Sequence, residues 1–496
     1  MKLPYILGIS AGYHDAAATV INSQGTIAFA GHSERYSRLK NDPNLSDGLI
    51  SELCGYEFDT IAYYERPWRH NLQQVYSGQR PTSPWTVRGA IRQQLGAWYS
   101  RPASRELAYP HHLSHAAAGF QTSPFDRATV VVIDAVGEFD TISIWGAEYD
   151  RAGTARYRRL WTQRYPHSIG LFYSAITQRL GLRPLDEEYI VMGMAAYGNP
   201  MCSQRMHSEL VSSVTDVRFR QNLHAGIDAD AFNGCSDSDI AAGAQSVAEE
   251  LIYSVMQRAR DFNFSTNLVY QGGVALNCLA NRTLGTYFEN IWIMPCPGDA
   301  GSSLGAAALA YGQRINWQDA YLGRNIDGDY PVDACISRLV SDRIVGVASG
   351  RAEFGPRALG NRSLLADPRG VDIKDQVNAI KRRQEFRPFA PAILEEHVHD
   401  YFGMPGGFVS TGYMQVVADC RRPDLYPAIV HRDGTSRVQT VARDGSGFRR
   451  LLEAWYARTG CPMLLNTSLN IRGEPMVNTR ADADRFESWY GVRVCS

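Results

Sequence analysis

TVVVIDAVGE, residues 129–138, is an apolar run that stops at an aspartate, a glycine and a glutamate. TISIWGAEYD (141–150) follows, then a turn at Arg151–Gly153 and YRRLW (157–161), so the stretch reads as three strands in hairpin succession. The same order opens the chain: ILGIS (6–10), AAATVIN (16–22) and TIAFAGH (26–32), with SQG as the turn between the last two. In both places an apolar strand ends in a small glycine-containing loop with an acidic residue, and a hairpin follows. Such repetition predicts a duplicated α/β unit. Helices are predicted near 168–181 and 239–262. NLVYQGGVALNCLANRTL (267–284) and IWIMPCPGDAGSSLGAAALAYG (291–312) each read as strand, glycine-rich turn, helix.

The chain has 496 residues, enough for more than one domain. Its hydrophobic and charged fractions, 44% and 20%, are those of an ordinary globular protein. A formal net charge of −1 gives no global field to recruit nucleic acid or an anionic membrane. No apolar run approaches membrane-spanning length, and MKLPYILGISAGYHDAA is broken by His14 and Asp15 and lacks a signal-peptide pattern. Nine cysteines occur singly, without a C-x-x-C pair, which predicts a reduced, cytoplasmic protein rather than a disulfide framework.

Residues 315–340 have turn composition, and the boundary is placed at 335/336. From RIVGVASG (343–350) onward arginine density climbs; 341–496 holds 22 Lys+Arg against 18 Asp+Glu. A basic second domain on a neutral chain suggests a small anionic ligand such as phosphate. No G-x-x-x-x-G-K-[ST] exists. GISAG (8–12) matches the G-x-S-x-G nucleophile elbow, but a strand, not a helix, follows its serine.

PHHLSHAAAGF (110–120) places His111 and His115 four apart, on one face of a helix, with His112 elsewhere. H-x-x-x-H is the spacing by which one helix offers two imidazoles to one metal, and is equally that of a hydrogen-bonded helix surface. Asp134 ends an apolar strand, and Asp299 opens a helix, where its ordinary role is an N-cap. Two histidines with two aspartates make a mixed N/O set suited to Fe(II), Mn(II) or Zn(II). The junctions at Gly272, Gly273 and Asn277, and at Gly301, bring backbone N–H groups to helix starts, as a nucleotide cradle requires. His14, after a strand-ending glycine, is a candidate general base.

In the second domain Arg357, Arg362, Arg387, Arg437 and Arg472, with Lys381, sit among Gly, Pro and aromatic residues. In such surroundings arginine is suited to gripping an anion bidentately. Lys381 is one of only four lysines against 46 arginines. NTSLN, with Asn466, Ser468 and Asn470, offers short polar groups to complete the pocket.

Taken in order, GYHDAAATV, HHLSHAAAGF, DAVGE, EYIVMGMAAYG, QGGVALN, PGDAGSSLGAA, EFGPRALGNRSLLADPR, FRPFAPAIL and NTSLNIRGEP resemble the O-carbamoyltransferases of the nodulation-protein-U and cephem-carbamoyltransferase family. The likeness runs from about residue 5 to 488. It implies an N-terminal domain, 1–335, with the duplicated actin/sugar-kinase/heat-shock-ATPase (ASKHA) fold, and a YrdC-like α/β domain over 336–496. It implies a metal, usually iron, on residues matching His111, His115, Asp134 and Asp299. Carbamoyl phosphate and ATP, with Mg²⁺, would give carbamoyladenylate in the second domain, on residues matching Lys381, Arg387, Arg437, Asn470 and Arg472. The carbamoyl group would then pass, in the first domain, to a hydroxyl of a small-molecule acceptor deprotonated by the residue matching His14. Such enzymes tailor antibiotics and other natural products.

This chain departs from the family at Ile190, where lysine is common. It is also shorter than many relatives, so acceptor-binding loops are expected to be trimmed. The aromatic, basic segment 57–105 could shape acceptor recognition or simply pack. A threonylcarbamoyl-type tRNA transferase would not carry the basic second domain, and nothing here marks nucleic-acid binding. The hydrogenase-maturation carbamoyltransferase has C-x-x-C zinc fingers, absent here. A nucleotide-switched binding protein of the same fold has no need of H-x-x-x-H with two aspartates.

Overall fold

Strands β1 (Tyr5–Ser10), β2 (Ala17–Ile21), β3 (Ile27–His32), β4 (Phe58–Tyr63) and β5 (Arg105–Ala108) form the first sheet of the computed structural model, which describes residues 4–99, 103–387 and 389–496. Their order is β3-β2-β1-β4-β5: β1 and β2, and β2 and β3, run antiparallel, while β4 and β5 join in parallel. A second sheet repeats this plan with β6 (Arg127–Gly137), β7 (Asp140–Tyr149), β8 (Ala155–Arg164), β9 (Asn267–Gln271) and β10 (Asn290–Trp292) in the order β8-β7-β6-β9-β10. Its two hairpin pairings are antiparallel and its two outer pairings parallel, as in the first sheet. The identical strand order and sense establish the duplicated ASKHA-type architecture. In β6 the continuous apolar run is explained by burial, since Ala128 and Val130–Ile133 are fully inside.

Four helices position the site: α1 (Pro67–Tyr76), α2 (His111–Thr122), α3 (Asp237–Asp261) and α4 (Ser302–Tyr311). α2 packs on β6 and β9, α4 packs on β1, β2 and β4, and the two helices pack on each other. Their approach is close because Gly305 meets the backbone of α2: a Cβ there would lie 1.8 Å from the Ser114 carbonyl oxygen. The N-termini of α2 and α4 are thereby brought together between the two sheets.

Compact units divide between Gln318 and Asp319, with Arg38–Lys40 counted in the second. The boundary placed at 335/336 falls instead inside α5 (Val332–Asp342), which packs with the second unit's β11 (Ile344–Ala348). With β12 (Arg362–Ala366), β13 (Ala390–Leu394), β14 (Gln439–Val441), β15 (Met463–Ser468) and β16 (Val494–Cys495), β11 forms a mixed sheet of order β14-β13-β15-β12-β11-β16. This is the second α/β domain, with its own apolar core around Trp455, Phe448 and Leu464.

Cys202 and Cys235 are joined as a disulfide, and the other seven cysteines are free. This departs from the reduced state read from the sequence, where a pair 33 residues apart carries no spacing signal. No helix among the described residues is long and apolar enough to cross a membrane.

Candidate metal centre and adjoining cleft

His111 and His115 occupy the first turns of α2, Asp134 the end of β6, and Asp299 the short turn before α4. The ligand atoms of all four lie within 4.8 Å of one another, on side chains that are buried. His111 Nε2 is 3.2 Å from Asp134 Oδ2 and 3.4 Å from Asp299 Oδ1; His115 Nε2 is 3.3 and 3.2 Å from the same two oxygens. The two Nε2 atoms are 3.1 Å apart.

The outer nitrogens decide what these inner atoms present. His115 Nδ1 faces the Pro297 carbonyl oxygen at 3.1 Å, and His111 Nδ1 faces Glu65 Oε2 at 3.4 Å. Both partners only accept, so each Nδ1 carries a proton, and each ring, once neutral, would turn a lone pair inward at Nε2. Two lone pairs and two carboxylate oxygens then converge, a set of acceptors that could hold one divalent cation. Asp134 Oδ1 accepts from the Gly273 N–H at 3.2 Å, which orients the carboxylate. Burial alone would lower His111 and His115, but Asp299 and Asp134 raise both. A field that retains protons on buried imidazoles is one that a cation would neutralise.

His112 points away from this cluster. Its Nδ1 lies 2.8 Å from Ser143 Oγ, which also accepts from Trp145 Nε1, and burial followed by the proximity of His111 pushes its pKa well down. It is a neutral packing histidine. Gly137 leaves room for the His111 ring, whose Cδ2 lies 2.3 Å from where a Cβ would stand.

A cleft of about 200 Å³ opens beside the cluster, lined by Tyr13, His14, His70, Gln73, Asp134 and Asp299 among others. His14 Nδ1 is 3.1 Å from Asp15 Oδ2, and its Nε2 is 3.5 Å from Asp299 Oδ2. Burial alone would lower it, but Asp299 and Asp15 raise it to about 9. Asp299 therefore serves the histidine pair with one oxygen and His14 with the other.

The glycine junctions are engaged within the protein. The N–H groups of Gly272 and Gly301 donate to Pro297 and Gly298 carbonyls, each at 2.9 Å, and that of Gly273 goes to Asp134. Asn277 caps the helix Cys278–Asn281 and exchanges two 3.1 Å bonds with Gln245.

In the second unit Lys381 is buried, and its Nζ donates to the Ser468 carbonyl, to Ser468 Oγ at 3.1 Å and to Asn470 Oδ1 at 2.9 Å. Burial, then the guanidinium groups of Arg383 and Arg387, push it well below its ordinary value. Arg472 is attached by its N–H to the Lys381 carbonyl at 3.0 Å, its side chain exposed. Arg437 has a buried Nε without a partner among the described residues, and Arg357 and Arg387 are half-buried. Asn466 is buried, donating to the Ala358 carbonyl at 3.1 Å and Gln439 Oε1 at 2.7 Å. Arg362 is not part of an anion pocket. Wholly buried, it donates to the carbonyls of Ser349, Asn361, Arg324, Gly350 and Asn478 at 2.9–3.3 Å, so its guanidinium ties the backbone together.

Two family models match this chain: the carbamoyltransferase N-terminus over residues 99–308 and the carbamoyltransferase C-terminus over 336–494. The chain belongs to the carbamoyltransferase family. Among its relatives, an uncharacterized protein of Synechocystis is 33% identical over 97% of this chain and 94% of its own length. The nodulation protein NolNO of Sinorhizobium fredii is 31% identical, covering 95% of this chain and 76% of that protein. The 3′-hydroxymethylcephem-O-carbamoyltransferase of Amycolatopsis lactamdurans is 29% identical over 95% and 94%. The protein is thus an enzyme that transfers a carbamoyl group.

What the sequence did not mark in this carbamoyltransferase is Glu65. It lies in the segment read as aromatic and basic, buried between His111 Nδ1 and His70 Nδ1, the latter at 3.2 Å. Burial would raise its pKa, yet the two imidazoles hold it at about 2. Only a contact 46 residues long in sequence reveals it. Ile190 is fully buried, an apolar position in this enzyme.

Proposed function

We propose that the enzyme is an ATP-dependent O-carbamoyltransferase with an activating site in the second domain and a transfer site in the first. In the activating site carbamoyl phosphate and water give carbamate and phosphate; a carbamate oxygen then displaces pyrophosphate from the α-phosphorus of ATP, forming carbamoyladenylate. Lys381, held by Ser468 and Asn470, with Arg387, Arg437 and Arg472, would bind the phosphate groups of carbamoyl phosphate and Mg²⁺–ATP. A buried lysine with a depressed pKa gains a full charge when an anion joins it, which favours such a ligand.

The observation that carries the transfer site is the convergence of His111, His115, Asp134 and Asp299 beside a cleft that also contains His14. A divalent cation bound there, Fe(II), Mn(II) or Zn(II), would screen phosphate oxygens and polarise the carbamoyl carbonyl. Glu65 and the Pro297 carbonyl fix the two imidazoles for that role. His14 takes the proton from the acceptor hydroxyl as its oxygen bonds to the carbamoyl carbon and AMP leaves. A cation that engaged Asp299 would weaken its pull on His14, and the imidazole would return towards the range in which it acts as a base at neutral pH. The acceptor is a small hydroxylated molecule, in keeping with the cephem relative named above.

The test is mass spectrometry of the purified enzyme with ATP, Mg²⁺ and carbamoyl phosphate but no acceptor. The expected outcome is carbamoyl-phosphate-dependent pyrophosphate that is lost in Lys381→Ala and survives in His115→Ala. No nucleotide turnover in folded wild-type protein would rule out the adenylation step.

A further inference from the structure

Two thiols meet at the apolar core of the second unit. Cys335 lies on α5 and is fully buried; Cys495 lies on β16, half-buried at the edge of the mixed sheet. β11 brings them together: α5 packs on it, and β16 pairs with it in parallel, with Cys495 opposite Val347. Two further bonds fix the backbone of β16. The Gly346 N–H donates to the Arg493 carbonyl at 2.8 Å, and the Val494 N–H donates to Glu487 Oε2 at 2.8 Å. In this setting the Cys335 thiol is hydrogen-bonded to the Cys495 sulfur, yet neither cysteine is in a disulfide.

We propose that Cys335 and Cys495 form a peroxide-sensitive dithiol, oxidised to a disulfide that ties α5 to β16. A thiolate, not a thiol, attacks peroxide, and the surroundings decide which sulfur supplies it. The hydrogen bond from Cys335 lowers the pKa of Cys495, and Arg338 and Arg480 lower it further, against burial and Glu487. Arg338 is three residues beyond Cys335 on α5, while Arg480 and Glu487 belong to α6 (Arg480–Tyr490), which packs on β16. Cys335 is pushed the other way, first by its bond to Cys495 and then by burial, so it keeps its proton. Burial also pushes up the thiols of Cys296, Cys420 and Cys461. Cys495 is thus the attacking sulfur and Cys335 the resolving one. The Cys495 thiolate bonds to one oxygen of hydrogen peroxide as the O–O bond breaks, giving a sulfenic acid and hydroxide, which takes up the proton the thiol had lost. The Cys335 sulfur then bonds to the Cys495 sulfur, the S–O bond breaks, and the hydroxyl leaves as water with the Cys335 proton. Two thiols lose two electrons, and one peroxide becomes two waters. The partners already face each other, so their sulfurs have only to close to about 2.05 Å.

The test starts from reduced, folded enzyme freed of reductant and treated with hydrogen peroxide at neutral pH. Remaining thiols are blocked with iodoacetamide, and the digest is read by mass spectrometry. The expected result is a peptide pair joining Cys335 to Cys495, which dithiothreitol separates. In Cys335→Ala the linkage is absent, and Cys495 is captured instead by dimedone as its sulfenic acid. Cys335→Ser shows the same loss of linkage should Cys335→Ala fail to fold. Cys335→Ala also removes the hydrogen bond that favours the Cys495 thiolate, so alkylation of Cys495 at neutral pH should slow about tenfold. Both thiols still free after an excess of peroxide overturns the proposal. So does Cys495 joined to another cysteine or oxidised without a partner in the wild type. An alkylation rate in Cys335→Ala within about twofold of wild type overturns the assignment of Cys495 as the attacking sulfur.

Discussion

Glu65 binds no ligand of its own in this arrangement; it works through His111, by holding the proton on Nδ1 so that Nε2 presents a lone pair. Replacing it with glutamine removes the charge and lets the amide donate as readily as accept. Glu65→Gln is therefore expected to weaken divalent-cation retention by about 10–100-fold, read as metal content after dialysis against graded chelator. The same residue makes a pH prediction. Its folded pKa, about 2, lies below its ordinary 4.5. Its contribution to stability is thus complete above the ordinary value and is lost as pH falls towards 2. Acid unfolding followed by circular dichroism should show a shallower slope between about pH 4.5 and 2 in Glu65→Gln than in wild type.

At the scale of elements, the site depends on α2 and α4 approaching within a distance that only glycine permits at position 305. Because the obstacle is the Ser114 carbonyl, a backbone atom, Gly305→Ala must push the helices apart and spread the histidines from Asp299. The expected cost is about 1–3 kcal/mol, seen as a lowered Tm, together with reduced metal content. Much of this level was legible in the sequence. β6 and β1 announced themselves as apolar runs ending in Gly and acid, and the repeat of strand and hairpin anticipated two sheets of one topology. H-x-x-x-H placed His111 and His115 on one face of α2, and the strand-end and helix-start positions of Asp134 and Asp299 put them at the same sheet edges. What was not legible depended on long-range contact or on reversal of a normal pattern. Glu65 reaches His111 from a distant segment, and α1 hides its polar face, so that apolar spacing points to the wrong side. Arg362 looked like a ligand arginine because it sits among Gly, Pro and aromatic residues, yet the carbonyls of Ser349, Gly350 and Asn361 take up its guanidinium instead.

At the scale of the whole molecule, each unit has its own apolar core and its own cluster of charge. The first is built around Leu7, Ile9 and Tyr63, with an excess of carboxylate oxygens over cations at the site; the second is built around Trp455 and Leu464, with buried Lys381 among arginines. A ligand that binds only the native form stabilises it by RT ln(1 + [L]/Kd), about 2.7 kcal/mol at a hundredfold excess over Kd. The two clusters attract ligands of opposite sign, so cation and anion should stabilise different parts of the chain. Differential scanning calorimetry is expected to resolve two transitions. Chelation should lower one of them, and carbamoyl phosphate should raise the other by several degrees, since about 1 kcal/mol moves the Tm of a unit this size by roughly 2–4 °C. The assignment follows from the variants. His115→Ala should abolish the response to chelator and leave that to carbamoyl phosphate, and Lys381→Ala should do the reverse. A single transition moved equally by both ligands would mean that the two units unfold as one, and that the charge at each site is felt by the whole chain.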